Sequence, residues 1–158
     1  MKMMDEAIKM AKKAFENDEI PVGAVITFNG EIISKAHNTV EKENDCTCHA
    51  EINAIKKACK YLGRKTLEEC EMFVSVEPCA MCAGAIINAR IKRLYIGCEE
   101  PKTGCCTSKL NLMEPSLFNH NVECYFGIGE EESRNLMKSF FKDKRKKNII
   151  KDAINMTV

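Results

Sequence analysis

The dipeptide Asn29-Gly30 lies between two β-rich runs, Val22 to Phe28 and Glu31 to Lys35. A two-residue primed turn needs positive φ at both central positions, which Asn and Gly tolerate, so the segment reads as a β-hairpin. On either side the apolar pattern changes period. Met4, Ile8, Ala11 and Phe15 recur at helical steps before the hairpin. After it, a helix is expected from near His49, carrying Ile52, Ile55, Cys59 and Leu62 inward and stopping at Gly63. Met72 to Val76 is a short strand, and Pro78 favours the first turn of a helix over Cys79 to Asn88. Arg93 to Ile96 and Val122 to Phe126 read as two more strands, followed by a basic helix from about Glu130 to Lys147. Strands alternating with helices predict a three-layer α/β/α domain, and 158 residues suit a single domain over 1–158.

No apolar run approaches the roughly 18 residues of a membrane span, and Met1 to Lys9 has no signal-peptide pattern. The expectation is a soluble cytoplasmic protein. A net charge of +1 gives no whole-molecule pointer to nucleic acid, so any such pointer is local. Ten cysteines without an export signal read as reduced thiols, some available to metal and the rest packed as small hydrophobes.

Two fragments carry chemistry: His49-Ala50-Glu51 and Pro78-Cys79-Ala80-Met81-Cys82. Cys79 and Cys82 are three apart and share a helix face, near a helix start where thiolates are favoured. Two thiolates and one imidazole suit one zinc ion per chain, and three protein ligands leave a fourth position for water. Glu51 reads as a proton shuttle rather than a ligand. A closed structural site would need a fourth ligand, for which Cys46 and Cys48 are the candidates. His37 and His120 have no ligand-like spacing. The pattern H-x-E followed by P-C-x-x-C is a known signature of zinc deaminases acting on nucleobases.

Further fragments fall in order around these: Ile20-Pro21-Val22-Gly23-Ala24-Val25, His37-Asn38, Glu77 to Ala85, Lys102-Thr103-Gly104 and Phe140-Phe141. Together they resemble the TadA-type bacterial tRNA adenosine deaminases, of the cytidine deaminase-like superfamily, from the first helix to about Lys147. The resemblance implies a mixed five-stranded sheet between helices, a homodimer, and hydrolytic conversion of wobble adenosine to inosine in a tRNA anticodon loop. It implies that Asn38 hydrogen-bonds the target nucleoside, with Ile20, Val22, Ala50 and Pro78 lining its pocket. The Lys-Thr-Gly loop and the last helix then make Lys102, Lys142, Lys144, Arg145, Lys146 and Lys147 candidate RNA contacts.

The chain also departs from that family. The stretch Thr39 to Cys48 has no arginine and no proline, Cys105-Cys106 follow the Lys-Thr-Gly, and Glu99-Glu100 bring acid nearby. Less positive charge there keeps open a deaminase of a free base or nucleoside. From another class comes a non-catalytic zinc-stapled binding module, for which Glu51 has no use. The run Lys142 to Lys147, five of six residues basic, suits a phosphate backbone or a solvated tail.

Overall fold

In a computed structural model of the chain, which describes residues 2–157, Asn29 and Gly30 turn with φ of 50° and 79°. They join β1 (Gly23–Phe28) to β2 (Glu31–His37). The pairing is antiparallel, with a register shift at Ile26/Thr27 that leaves Ile33 out of the ladder. Strands β3 (Cys70–Val76), β4 (Arg93–Cys98) and β5 (Glu123–Phe126) complete the sheet in the order β2-β1-β3-β4-β5. β1 is antiparallel to β3, whereas β3, β4 and β5 run parallel. The mixed five-stranded sheet is the one the resemblance implies.

The period-two alternation of the central strands divides the core. Ala24 and Ile26, Met72 and Val74, and Leu94 and Ile96 face one layer, built from α3 (Ala50–Leu62) and α4 (Ala80–Asn88). Val25 and Phe73 face the other, against Met4, Ala7 and Ile8 of α1 (Lys2–Glu16). The final helix, α5 (Glu130–Asn155), joins this second layer through Leu136 and sets Phe140 edge-on to the half-buried Phe15, with centroids 5.7 Å apart. A short α2 (Val40–Glu43) lies between β2 and α3.

Two expectations need correction. The centre of the α3 interface is Ala50, Ala54 and Ala58, all fully buried. Ile55, Cys59 and Leu62 are half-buried on the flank of that core, and Ile52 is half-buried outside it. Small residues at steps of four let the helix lie close to the sheet, and the larger side chains then reach around the contact rather than into it. The last helix also runs on past Lys147 to Asn155, because the basic run consists of good helix formers and no Gly or Pro follows to stop it. Its final turns are exposed. Among the described residues, no helix is long and apolar enough to cross a membrane.

Gly23 shows how closely the α1 layer is packed. A Cβ there would lie 1.9 Å from the Ala7 carbonyl oxygen and 2.5 Å from the Ala11 nitrogen, so α1 rests against bare backbone. Gly23→Ala is expected to push α1 off the sheet and cost about 1–3 kcal/mol, the usual range for overpacking. Urea denaturation measures it; a wild-type midpoint would contradict the packing described.

Candidate metal and catalytic site

The site forms where two helices begin. β3 ends at Val76, and after Glu77-Pro78 the extended Cys79 (φ −72°, ψ 176°) caps α4, with Cys82 in its first turn. His49 caps α3 in the same manner (φ −69°, ψ 155°). Because α3 and α4 pack on one face of the sheet, the starts of both helices meet. His49 Nδ1 lies 3.6 Å from Cys79 Sγ and 3.5 Å from Cys82 Sγ. Among the described residues these three form the one group of metal-ligand type, and neither Cys46 nor Cys48 joins it. Three donors without a fourth suit an open metal site better than a closed structural one.

The electrostatics suit a cation. The Cys79 thiol is held down to about 4, first by the hydrogen bond from Cys82 and then, against burial, by His49. The same hydrogen bond, together with burial, pushes the Cys82 thiol up. His49 is raised in turn by its bond to Cys79. One thiolate is therefore ready, and a second proton leaves when a cation binds. Glu51, in the first turn of α3, is 3% exposed, and burial pushes its carboxyl up to about 7. A carboxyl poised there exchanges protons near neutral pH.

These groups open onto a cleft of about 920 Å³. Of the residues expected beside a substrate, Ile20, Val22, Asn38 and Ala50 line it. Pro78 does not. It is buried behind the site, where its carbonyl accepts the Cys105 N–H at 2.9 Å. Lys102, Lys144 and Arg145 line the cleft, but Lys142, Lys146 and Lys147 do not, since the helix turns them away. Asp18 pairs with Lys144 at 2.9 Å and Lys147 at 3.4 Å, partly neutralising both. The exposed Cys46 lines the cleft as well, while Cys48, Cys105 and Cys106 are buried and their thiols raised by desolvation. His37 and His120 each hydrogen-bond a backbone carbonyl, of Asn38 and Ile91 respectively.

Sequence reasoning assigned no role to the groups that fix the cleft walls. Glu77 is 3% exposed and accepts the N–H groups of Glu100, Cys106, Thr107 and Ser108, plus the Ser108 hydroxyl. Burial alone would raise its carboxyl, but these bonds outweigh it and hold the group below the usual carboxylate range. The loop carrying Lys102 and Thr103 is thereby hung on one buried carboxylate. Gly104 is required for this, because a Cβ there would come within 2.3 Å of Glu77 Oε2. On the opposite wall Asn53 of α3 donates to His37 O, Thr39 Oγ1 and Cys48 O, tying down both ends of the loop before His49. The signal for Glu77 was its place beside Pro78-Cys79; nothing in the sequence names its partners.

Residues 1–145 match the family model of MafB19-like deaminases. The chain is 46% identical over 144 residues to a tRNA-specific adenosine deaminase of Bacillus subtilis, a match spanning 91% of this chain and 89% of that protein. A solved structure from a study of A-to-I editing by tRNA:A34 deaminases at the wobble position of transfer RNA superposes with a TM-score of 0.83. It is 39% identical and covers 85% of this chain and 98% of its own. A guanine deaminase from Bacillus subtilis is 41% identical over 62% of this chain and 63% of its own, with a TM-score of 0.61. The chain belongs to the family of the tRNA-specific adenosine deaminases, within the MafB19-like deaminases.

Proposed function

We propose that this protein deaminates the wobble adenosine of a tRNA anticodon loop to inosine, releasing ammonia, with zinc held by His49, Cys79 and Cys82. The observation that carries the reading is the meeting of this His/Cys/Cys group with a buried Glu51 at the floor of a cleft rimmed by Lys102, Lys138, Lys144 and Arg145. The donor set fits the metal. Tetrahedral zinc with typical bond lengths puts a ligating nitrogen and sulfur about 3.5 Å apart, and the two separations here are 3.5 and 3.6 Å. Bound zinc lowers the pKa of water toward neutrality and so supplies hydroxide at physiological pH.

The chain's own residues do the rest. Glu51 carries one proton of the attacking water to the ring nitrogen, and the second, from the hydroxyl then on the ring carbon, to the departing amine, which leaves as ammonia. Ile20, Val22 and Ala50 give the flipped base an apolar seat, and burial there excludes competing water. Asn38 Oδ1 is buried without a partner among the described residues, and supports a role as acceptor for a donor on the nucleoside. The lysines and arginine of α5 meet phosphates on the rim. A second reading, deamination of a free purine base, draws on the likeness to guanine deaminase and on acidic Glu41 and Glu100 in the cleft wall.

Metal analysis and turnover of two variants separate the roles at the site. Cys82→Ala is expected to lose zinc and stability together, since binding energy here is also folding energy. Glu51→Gln should keep its zinc and lose roughly 10²–10⁴-fold or more in turnover. Full zinc retention by Cys82→Ala would refute the ligand set, and near-normal turnover of Glu51→Gln would refute the shuttle.

The rim is tested by charge reversal. Lys138, Lys144 and Arg145, the α5 residues that line the cleft, changed together to Glu should flatten the slope of log K against log salt for an anticodon stem-loop by about 2, at roughly 0.7 per lost contact. Turnover at saturating substrate should persist, because the metal group is untouched. An unchanged slope would make this stretch a solvated helix with no part in RNA binding.

A further inference from the structure

Glu19 is a buried carboxylate that the chemistry described so far does not use. It is 1% exposed, and among the described residues every partner of its carboxylate is a neutral N–H. Asn38 Nδ2 donates to it at 3.4 Å, Glu41 N at 3.1 Å and Lys42 N at 2.8 Å. A buried carboxylate satisfied only by amides is costly to desolvate, and something must repay that cost.

The partners show what it controls. Asn38 is 5% exposed, lines the cleft, and is fixed at its backbone by a hydrogen bond to Val22 O at 3.1 Å. Its side-chain amide has two possible faces. Turning Oδ1 toward Glu19 would set acceptor against acceptor, so the carboxylate forces Nδ2 inward and leaves Oδ1 as the orphaned acceptor. The other two donors belong to the start of α2, where N–H groups lack helical partners. Val40 and Glu41 of α2 form part of the cleft wall beside Asn38. One carboxylate therefore sets both the polarity of a cleft amide and the position of the wall next to it.

We propose that Glu19 is a positioning residue for the substrate, holding Asn38 so that its Oδ1 meets a hydrogen-bond donor of the bound nucleoside. This rests on the reading above that Asn38 touches the nucleoside. Replacing Glu19 by Gln keeps the shape but aims an NH₂ group at the Asn38 amide or at the α2 N–H groups, donor against donor. Asn38 is then free to turn, and the wall loosens.

The test combines kinetics with a substrate-free measurement. Glu19→Gln should keep its zinc, because Glu19 touches none of the three ligands. Its kcat/KM on an anticodon stem-loop should fall roughly 10- to 100-fold, the range for loss of a hydrogen bond to a charged group, with the larger share in KM. The double variant Glu19→Gln/Asn38→Ala should lose less than the product of the two single losses, since Glu19 acts in part through Asn38. In amide NMR of the substrate-free protein, the Asn38 side-chain signals should shift and the Glu41 and Lys42 amides should exchange faster. Wild-type kcat/KM in Glu19→Gln, or losses that multiply in the double variant, would overturn the proposal, as would unchanged Asn38 signals and amide protection. If the wild-type protein fails to deaminate the stem-loop while the NMR changes occur as described, the substrate reading fails and the positioning role of Glu19 stands.

Discussion

His49 Nδ1 sits 3.5 and 3.6 Å from two sulfurs that are 33 and 30 residues away along the chain. No local propensity produces that distance. It follows from packing α3 and α4 on one face of the sheet with their first turns at the same end, so that Cys79 and Cys82 at the start of α4 and the cap residue His49 at the start of α3 supply the three donors. The parallel pairing of β3 with β4 and the alanine seam of α3 are the means by which the sheet holds those helix starts together. Glu51 belongs to the same first turn, so its burial comes with the arrangement. The proton-exchanging character of its carboxyl is a consequence of packing instead of a separate device.

A second constraint acts through buried carboxylates. Glu77 gathers the loop carrying Lys102 and Thr103, and Glu19 gathers Asn38 and the start of α2. Each wall of the cleft is thus tied by one side chain that binds backbone N–H groups, and on the Glu77 side this adds to the packing of Cys105 and Cys106 in the core. Such walls are rigid as long as the carboxylate stays bonded, and their side chains remain free to differ. That freedom is visible here: the Glu19 wall carries Glu41 and the exposed Cys46, while α5 supplies Lys138, Lys144 and Arg145. The basic residues of the opening come from α5 and from Lys102 on the Glu77 loop.

Much of this was legible in the residues, for reasons that differ by element. The hairpin was readable because Asn29-Gly30 states its own backbone geometry, and the donor pair because Cys79 and Cys82 are neighbours on one helix turn. The centre of α3 is not legible from apolar bulk, because the small Ala54 and Ala58 are deepest and Ile52 lies outside the core. The end of α5 at Asn155 lies beyond the expected Lys147 because the residues that follow the basic run contain no Gly or Pro to stop the helix. Pro78 and several lysines of α5 fell outside the cleft because helix phase and loop path, which no motif states, decide which way they point. The roles of Glu19 and Glu77 were invisible for a deeper reason. Most of their partners are backbone N–H groups between 22 and 31 residues away, and a backbone amide leaves no trace in sequence.

The shared zinc-deaminase core does not by itself choose between a base held in RNA and a base free in solution. That choice lies in the rim, where basic α5 residues face acidic Glu41 and Glu100. The most direct measurement is a side-by-side assay of the zinc-loaded protein on an anticodon stem-loop with adenosine at the wobble position and on free adenine, cytosine and guanine. Digestion and mass spectrometry report inosine, and ammonia release reports the free bases. The account predicts inosine at the wobble position and no ammonia from any free base. Ammonia from guanine or another free base, with the stem-loop left intact, would contradict it.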